Sequence, residues 1–303
     1  MRIFITGGAG FIGTHLCKKL LELNHDITVY DDFSNSQKDN FESTIKQKVT
    51  LIPGDILDNS TLVTSMKNHD VVIHLAAQIS VSESIKNPKL TLDVNVNGTQ
   101  NVLDACLEND IDKIIAASTA AVYQNTSTKT ILDENSSVEP LSPYGKSKLE
   151  MENKIIAFTH LHNIDSIILR LFNVYGIGQS IEYAGVITKF KENIQNNSPL
   201  IIFGDGSAIR DFVHIDDVVD SIILAIPHPK SSIYNIASGI STSISELAKM
   251  MITLSHKDIP ISYNSSRPGE IMFSAADISK AKEFLKFNPK ISLKRGLEQF
   301  LSE

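Results

Sequence analysis

The sequence predicts an α/β fold with a doubly wound parallel sheet and a smaller, mostly helical C-terminal domain. An apolar strand at the start of the chain leads into a glycine-rich turn, further apolar segments follow, and stretches of helical periodicity alternate with them. Parallel strands covered on both faces give such continuous apolar runs. We place the first domain at residues 1–171 and the second at residues 172–303, with segments 213–225 and 233–237 returning to the first.

The opening segment reads Met1-Arg-Ile-Phe-Ile-Thr-Gly-Gly-Ala-Gly-Phe-Ile-Gly13. Gly7, Gly10 and Gly13 lack a Cβ where the chain must turn, approach a pyrophosphate and pack its helix on the sheet. The first helical residues, Phe11 and Ile12, bring free backbone N–H groups to an anion. The segment therefore predicts a dinucleotide-binding turn. An empty strand-to-helix turn is the alternative.

The second predicted strand ends in a carboxylate, Asp31, eighteen residues after Gly13. A carboxylate at this place binds the ribose hydroxyls of NAD, and it would repel the 2′-phosphate of NADP. We therefore predict NAD as the cofactor. The polar loop after this strand is expected to close on the adenosine end of the dinucleotide through Asp32, Ser34, Asn35 and Ser36.

Three more predicted strands bring small, apolar or polar residues to the same edge of the sheet. They cover residues 49–54, 71–77 and 113–118. Ligands of open α/β sheets bind at the carboxyl edge of the strands. The further cofactor-binding residues expected there are Asp55, Ile56, Leu75, Ala76, Ala77 and Ser118.

Tyr144 and Lys148 lie four residues apart at the start of a predicted helix, so they share one face of it. An ammonium group beside a phenol stabilises the phenolate and lowers its pKa from about 10, which makes the tyrosine usable as a general base. This pair of residues also occurs by chance. Its significance here comes from its position after a dinucleotide-binding turn.

Composition excludes several functional classes. The net charge is −7 and the basic residues are scattered, which argues against binding to nucleic acid or to an acidic membrane. No apolar run reaches the length of a membrane helix and the first strand starts at once, so we expect a cytoplasmic protein. Cys17 and Cys106 lie in helical patterns and are expected to be reduced packing residues. The histidines are dispersed, and no metal site is predicted.

Ten blocks of sequence carry a resemblance to a known family, including Thr6-Gly-Gly-Ala-Gly-Phe-Ile-Gly13 and Tyr144-Gly-Lys-Ser-Lys148. In chain order they are residues 6–13, 54–55, 74–77, 95–99, 118–123, 144–148, 170–176, 204–206, 210–216 and 267–270. The chain resembles the extended short-chain dehydrogenase/reductase family, and more closely its nucleotide-sugar epimerases of the UDP-glucose 4-epimerase type. The resemblance implies a Rossmann domain that binds NAD. It also implies that the substrate is a UDP-sugar.

The resemblance also implies the mechanism and its residues. Tyr144 takes the proton of the sugar 4-hydroxyl while the C4 hydride moves to NAD⁺, Thr119 hydrogen-bonds the same oxygen, and Lys148 holds the nicotinamide ribose. Return of the hydride to the other face of a transient 4-keto sugar inverts C4. NAD stays bound and is regenerated in each cycle.

The substrate residues come from the resemblance alone. Asn173, Arg210 and Arg267 are expected on the phosphates, and both arginines are expected in loops. The other expected substrate residues are Val186, Phe203 at the base, Ser274 at the sugar C2 substituent, and Thr119 and Tyr144 at C4. Because a small residue such as Ser274 leaves room for an N-acetyl group, we expect turnover of the UDP-N-acetylhexosamines as well as of UDP-glucose and UDP-galactose. A surface serine without function is the alternative.

Three other functions share part of this sequence pattern. Related dehydratases have an Asp-Glu pair after the active-site Thr and decarboxylases have a Glu, whereas this chain has Ala120 and Ala121, which cannot transfer protons. A reductase or dehydrogenase with exchangeable cofactor stays open. A non-catalytic NAD-sensing protein would be expected to lack part of the catalytic set, which is complete here.

The resemblance finally implies a homodimer. In the family, the helix after Asn95 and the helix that carries Tyr144 pair with their copies in a second subunit. The apolar residues compatible with this interface are Val102, Cys106, Ile155, Ile156 and Phe158. Packing inside the subunit explains the same residues equally well.

Overall fold

The computed structural model describes residues 1–36, 41, 45, 48–125, 130–179, 185–266 and 271–302. Its strands are β1 (Arg2–Thr6), β2 (Asp26–Asp31), β3 (Thr50–Pro53), β4 (Val71–His74), β5 (Lys113–Thr119), β6 (Asp165–Leu171), β7 (Asn173–Tyr175), β8 (Leu200–Phe203), β9 (Ile209–His214), β10 (Ser232–Ile236), β11 (Ser241–Ser243), β12 (Ile261–Asn264) and β13 (Phe273–Ser274).

The α-helices are α1 (Phe11–Glu22), α2 (Asn59–Ser65), α3 (Val81–Lys86), α4 (Pro88–Leu92), α5 (Thr99–Glu108), α6 (Pro143–His162), α7 (Val186–Gln195), α8 (Ile215–Ala225), α9 (Ile244–Ser255) and α10 (Leu293–Leu301). Two π-helical turns cover Asp93–Gly98 and Ala281–Leu285, and a 3₁₀ turn covers Ala120–Val122. No helix within the described residues is long and apolar enough to cross a membrane.

Seven strands form the main sheet in the order β10-β6-β5-β4-β1-β2-β3. Strand β1 pairs in parallel with β2 and with β4, with Ile5 opposite Val29 on one side and Ile73 on the other. The chain therefore winds outward in both directions from β1, and the order reverses between β1 and β4. This reversal opens a crevice at the carboxyl ends of the strands, which confirms the predicted doubly wound sheet.

The sheet is stable because its strands are apolar on both faces. Strand β4 is buried throughout, and Phe4 of β1 and Ile114 of β5 are fully buried. Helices α2 and α5 cover them, with Leu62 and Leu103 in the same core cluster. Cys17 and Cys106 are free and buried in helices, so their predicted packing role is confirmed.

The helix that carries the predicted tyrosine begins where the sequence indicates. Ser142 is the N-cap of α6 and accepts from the Gly145 N–H, and Pro143 occupies the first helical position, where it needs no N–H. Asn163 ends the helix in a left-handed conformation. The 20 residues of this helix carry both Tyr144 and Lys148.

The segment 78–98 is more helical than the sequence suggested. We expected Asn95 to open a helix, but the chain is already helical from Val81 and passes through the π-helical turn Asp93–Gly98 before α5. An extra residue in a helical turn rotates the following side chains. Asn95, within this turn, is 1% exposed and points into the interior.

The chain forms two compact units. The first comprises residues 1–122, 140–170 and 219–234, and the second comprises residues 123–139, 171–218 and 235–303. The second unit has a four-stranded sheet of β7, β9, β11 and β13 and a parallel pair of β8 and β12. These small sheets were not predicted from the sequence. The assignment of the cofactor to the first domain and of the substrate to the second stays a prediction.

Candidate active site

The turn after β1 can only be made with glycines at two positions. Gly7 has a φ of +69°, and a Cβ there would lie 2.6 Å from the backbone nitrogen of Ala76. A Cβ on Gly13 would lie 2.5 Å from the Cα of Gly8. The turn therefore contacts the segment after β4 backbone to backbone, and α1 packs tightly on it. This cradle, which a Cβ would fill, fits a pyrophosphate.

Helix α1 begins directly after this turn. Its N-cap is Gly10, and among the described residues no side chain caps it. The backbone N–H groups of its first turn, which includes Phe11 and Ile12, are consequently available to an anion. The predicted phosphate site thus has both of its parts, the close backbone approach and the helix N-terminus.

Asp31 ends β2 beside this turn and organises the loop around it. Its Oδ2 accepts from the Ala9 N–H at 2.9 Å, and its Oδ1 accepts from the Phe33 N–H at 2.8 Å and from Ser36 Oγ at 3.3 Å. Burial raises the pKa of Asp31, and these hydrogen bonds oppose the rise. The carboxylate is held at the edge of the sheet where the sequence predicted it.

The loop 32–36 folds onto the segment after β4. Asp32 Oδ1 accepts from the Ser34 N–H and Oγ, at 2.9 and 2.7 Å. Asn35 Nδ2 donates to the Ala77 carbonyl at 3.2 Å. Residues that the sequence assigned to the adenosine end therefore lie together. Asp55 caps its own turn by accepting from the Leu57 N–H, while Ile56 is 5% exposed and packs in the core.

Thr119, Tyr144 and Lys148 all belong to the first unit. Thr119 ends β5, and its side chain hydrogen-bonds Tyr144, which lowers the pKa of the phenol. Burial acts in the opposite direction and raises the pKa of Tyr144 overall. Burial also lowers the pKa of Lys148 to about 8, against the opposing charge of Glu152. The three predicted catalytic residues are thus brought together.

Gly145 explains how helix α6 comes so close to the Thr119 segment. A Cβ at this position would collide with the carbonyl oxygen of Ala121 and would lie 2.8 Å from Cβ of Pro140. Ala121 itself donates its N–H to Thr119 Oγ1 at 3.2 Å. The glycine after the tyrosine is therefore required for the approach of the helix to the end of β5.

His74 was not predicted as a site residue. It is buried at the end of β4, with Nδ1 2.7 Å from Thr6 Oγ1 and Nε2 2.9 Å from Thr99 Oγ1. Because Thr99 Oγ1 gives its proton to the Asn95 carbonyl, it accepts from Nε2, and the proton of the ring is on Nε2. Burial, followed by the nearby Lys148, lowers the pKa of His74 to about 3. The ring is neutral.

Asn95 joins two parts of the site. Its Oδ1 accepts from the Gln78 N–H at 2.7 Å, and its Nδ2 donates to the Gln78 carbonyl at 3.0 Å and to Ser147 Oγ at 2.9 Å. The amide thus holds the segment after β4 against helix α6. The sequence marked the block around Asn95 as part of a family pattern but gave the side chain no role.

Ser118 was predicted to bind the cofactor, but its side chain points into the core. Ser118 is 4% exposed, and its Oγ donates to Glu152 Oε1 at 2.5 Å. Glu152 forms a buried ion pair with Arg170 on β6, with Nη2 to Oε2 at 2.7 Å. The hydroxyl is therefore used inside the protein. Ser118 and Arg170 lie in blocks of the family resemblance, whereas Glu152 was marked only by its position one turn after Lys148.

The described substrate residues of the second unit lie on four of its strands and on one helix. Asn173 Nδ2 donates to the Asp211 carbonyl at 3.0 Å. The prediction that Arg210 lies in a loop is wrong. Arg210 belongs to β9, where the buried Asp211 beside it anchors the strand to the backbone of Ser238 and Gly239.

The other predicted substrate residues lie at the ends of elements or outside the described residues. Val186 begins α7 and Phe203 ends β8. Arg267 lies outside the described residues.

Ser274 is not a surface serine. It is 8% exposed in β13, where it lies opposite Arg210 of β9 in a parallel register. The alternative prediction of a serine in a surface loop is therefore wrong, because Ser274 is buried in a strand. Two predicted substrate residues, Ser274 and Arg210, are neighbours on adjacent strands.

Comparison with known proteins establishes the class to which this fold and site belong. Residues 3–237 match the model of the NAD dependent epimerase/dehydratase family, and the chain belongs to this family. NAD is its cofactor, in agreement with the glycine cradle and with Asp31. A provisionally named UDP-glucose 4-epimerase of Methanocaldococcus jannaschii is 39% identical over 99% of this chain and 97% of its own length.

Other relatives show how far the family likeness extends. A UDP-N-acetyl-alpha-D-glucosaminuronate decarboxylase of Bacillus cytotoxicus is 31% identical over 98% of this chain and 96% of its own. The solved UDP-glucose 4-epimerase of Thermotoga maritima with UDP-glucose has a TM-score of 0.95 at 32% identity, covering 100% and 98% of the two chains. A UDP-N-acetylglucosamine 4-epimerase of Methanobrevibacter ruminantium in complex with UDP-N-acetylmuramic acid gives 0.94 at 31% identity, covering 99% and 97%.

Proposed function

We propose that the protein is a UDP-hexose 4-epimerase that interconverts UDP-glucose and UDP-galactose through a transient 4-keto sugar. The observation that carries the proposal is the complete set of Thr119, Tyr144 and Lys148 followed by Ala120 and Ala121, which have no acid or base. Oxidation and return of a hydride at C4 need one base. Dehydration or decarboxylation of the keto sugar needs further proton transfer.

NAD, when bound, supplies the acceptor for the hydride at C4 and returns it. The residues proposed to hold it are the glycine turn of Gly7, Gly10 and Gly13 at the pyrophosphate, Asp31 at the adenosine ribose, and Lys148 at the nicotinamide ribose. The remaining proposed contacts come from Phe11, Ile12, Asp32, Ser34, Asn35, Ser36, Asp55, Ile56, Leu75, Ala76, Ala77, Ser118 and Tyr144. Ser118 contributes its backbone only, since its hydroxyl is bound to Glu152.

Tyr144 removes the proton from the 4-hydroxyl. Its phenol must lose a proton first, and burial alone holds its pKa above the ordinary value. The hydrogen bond from Thr119 and the ammonium of Lys148, one turn along α6, favour the phenolate. Thr119 then shares the substrate oxygen with Tyr144. After the keto sugar presents its other face, the same tyrosine returns the proton to the oxygen.

The substrate is proposed to be held by residues of the second unit. Asn173, Arg210 and Arg267 bind the phosphates, Phe203 and Val186 contact the nucleotide, and Ser274 borders the C2 substituent. The burial of Ser274 beside Arg210 in the strand register supports this assignment. An enzyme with these partners is proposed to work in the cytoplasm as a homodimer.

A net reductase or dehydrogenase of the same family is the second candidate. It shares Tyr144 and Lys148 and differs in whether the cofactor leaves after each turnover. The 31% identical decarboxylase supports a third possibility, against which Ala120 and Ala121 argue.

The test is turnover without added cofactor. Purified protein should convert UDP-galactose to UDP-glucose, detected by a coupled assay, and Tyr144→Phe should lose the activity while keeping its fold. A requirement for stoichiometric NADPH, with a reduced sugar as product, would establish the reductase instead.

A further inference from the structure

Ser84 is a buried serine of the short helix α3, and its hydroxyl contacts the backbone of Tyr144. The Tyr144 N–H donates to Ser84 Oγ at 3.1 Å, and Ser84 Oγ donates to the Val81 carbonyl at 2.7 Å. The side chain is 0% exposed. The hydroxyl thus donates its proton to a carbonyl of its own helix, and its oxygen accepts from the Tyr144 N–H.

The first turn of α6 explains why Tyr144 needs this acceptor. The first N–H groups of a helix have no partner within it. Pro143 has no N–H, the Gly145 N–H donates to Ser142 Oγ at 3.0 Å, and the Lys146 N–H donates to the Ser142 carbonyl at 2.9 Å. The N–H of Tyr144 goes outside the helix, to a residue 60 positions earlier in the chain.

The carbonyl of Tyr144 is held on the other side. Ser147 Oγ donates to it at 2.8 Å and accepts from Asn95 Nδ2 at 2.9 Å. The N–H of Tyr144 is therefore bonded directly to the segment 78–98, and its carbonyl is linked to the same segment through Ser147. These bonds hold the backbone of Tyr144 in place, and the backbone determines where the side chain starts.

We propose that Ser84 is a positioning residue for Tyr144, holding the phenol in hydrogen-bond reach of Thr119 and of the substrate hydroxyl. The proposal rests on the proposed function for the reaction that it serves. Without the Ser84 hydroxyl, the Tyr144 N–H loses this acceptor in a partly buried place and the first turn of α6 loosens. Thr119 then loses its contact with the phenol.

Two consequences distinguish positioning from general stabilisation. The rate should fall by about 10- to 100-fold, because misplacement of a reacting group by about 1 Å has effects of this size, while KM for UDP-galactose stays near its wild-type value. The pKa of Tyr144 should rise, because the Thr119 hydrogen bond lowers it.

The experiment compares Ser84→Ala with two controls. Ser82→Ala makes the same change at an exposed position of the same helix, and Ser84→Thr keeps the hydroxyl. If Ser84→Ala does not fold, Ser84→Cys takes its place, since a thiol is a similar size but a weak acceptor. Each variant is checked by circular dichroism. The kcat and KM for UDP-galactose are measured, and the phenol of Tyr144 is titrated by ¹³C NMR of Cζ-labelled tyrosine, with Tyr144→Phe to assign the signal.

The proposal expects a lower kcat, an unchanged KM and a higher phenol pKa in Ser84→Ala, with Ser82→Ala and Ser84→Thr close to wild type. It is overturned if the phenol pKa and kcat of Ser84→Ala match wild type, or if Ser82→Ala has the same effect. The titration does not require turnover. If wild type converts no UDP-sugar, the proposed function fails, and the titration still decides the role of Ser84.

Discussion

Opposing effects act on the single phenol on which the proposed chemistry depends. Burial raises the pKa of Tyr144, and the Thr119 hydrogen bond lowers it. Lys148 has a pKa lowered to about 8 by burial, so a large part of it is protonated at neutral pH. His74, beside it, has a pKa of about 3 and adds no positive charge. In the proposed mechanism Lys148, one helical turn after Tyr144, is the cation that favours the phenolate.

Ser274 carries a prediction about which sugars enter. Replacement of this buried serine by tyrosine should abolish turnover of UDP-N-acetylglucosamine and UDP-N-acetylgalactosamine while turnover of UDP-glucose and UDP-galactose persists, because a phenol ring fills the volume that an acetamide needs. Initial rates with both sugar pairs measure this, and Ser274→Ala serves as the small control. If wild type does not turn over the N-acetyl sugars, or if kcat/KM falls equally for both pairs, Ser274 does not determine which sugars are accepted.

Site residues that belong to a short sequence pattern could be predicted. Site residues that hydrogen-bond to distant positions of the chain could not. The glycine turn, Asp31 and the Tyr144–Lys148 pair each stand in a short pattern with a mechanical reason for its spacing. Ser84 and Asn95 act on Tyr144 and Ser147 across 60 and 52 positions. Nothing in an ordinary serine or asparagine indicates a partner so far along the chain.

At the scale of elements, the ion pair of Glu152 and Arg170 joins helix α6 to strand β6. The two side chains are 1% and 5% exposed, and Nε and Nη2 of the guanidinium donate to the carboxylate. Ser118 of β5 adds a third bond to the same carboxylate. The helix that carries Tyr144 and Lys148 is consequently fixed to two neighbouring strands by one buried cluster.

Removal of one partner of this ion pair should lower the stability of the fold. Arg170→Met leaves the Glu152 carboxylate buried without its cation, which should lower the free energy of unfolding by about 3–5 kcal/mol. The matched control is Arg2→Met, which breaks the exposed pair with Asp70 and should cost less than about 1 kcal/mol. Urea denaturation of both variants measures the difference. Equal losses in the two variants would mean that the buried pair is not a structural tie.

The strand and helix pattern of the main sheet was predictable, whereas the second unit was less so. Continuous apolar runs indicate buried parallel strands, and Ser142 and Pro143 indicate the start of α6. The strands of the second unit are short: β7 and β11 have three residues and β13 has two. Their pairing depends on long-range contacts, and so does the place of Arg210 in a strand. The π-helical turn before α5 likewise has no local sequence signal.

At the scale of the whole molecule, burial corrects the residues expected at a dimer interface. Val102, Cys106 and Ile155 are 0% exposed within one chain and pack in its core, so they cannot face a second subunit. Ile156 is 42% exposed on α6 and Phe158 is partly buried. Ile156 is therefore the residue of the predicted set that is most open to a partner.

The proposed homodimer gives a direct prediction. Light scattering at micromolar concentration should give twice the mass of one chain, and Ile156→Glu should shift the protein toward monomer, because a carboxylate cannot be buried unpaired in an apolar interface. Leu23→Glu, at an exposed apolar position after α1, should leave the dimer intact. A fully active monomeric wild type would reject the homodimer.

The central claim is that one hydride leaves C4 and returns to C4 on the opposite face. The most direct measurement follows UDP-galactose deuterated at C4 through the reaction by NMR, in water and with no cofactor added beyond what the protein carries. The account predicts UDP-glucose that keeps its deuterium at C4. Deuterium lost to solvent, or deuterium left on the cofactor that the protein carries with a keto or reduced sugar as the final product, would contradict it.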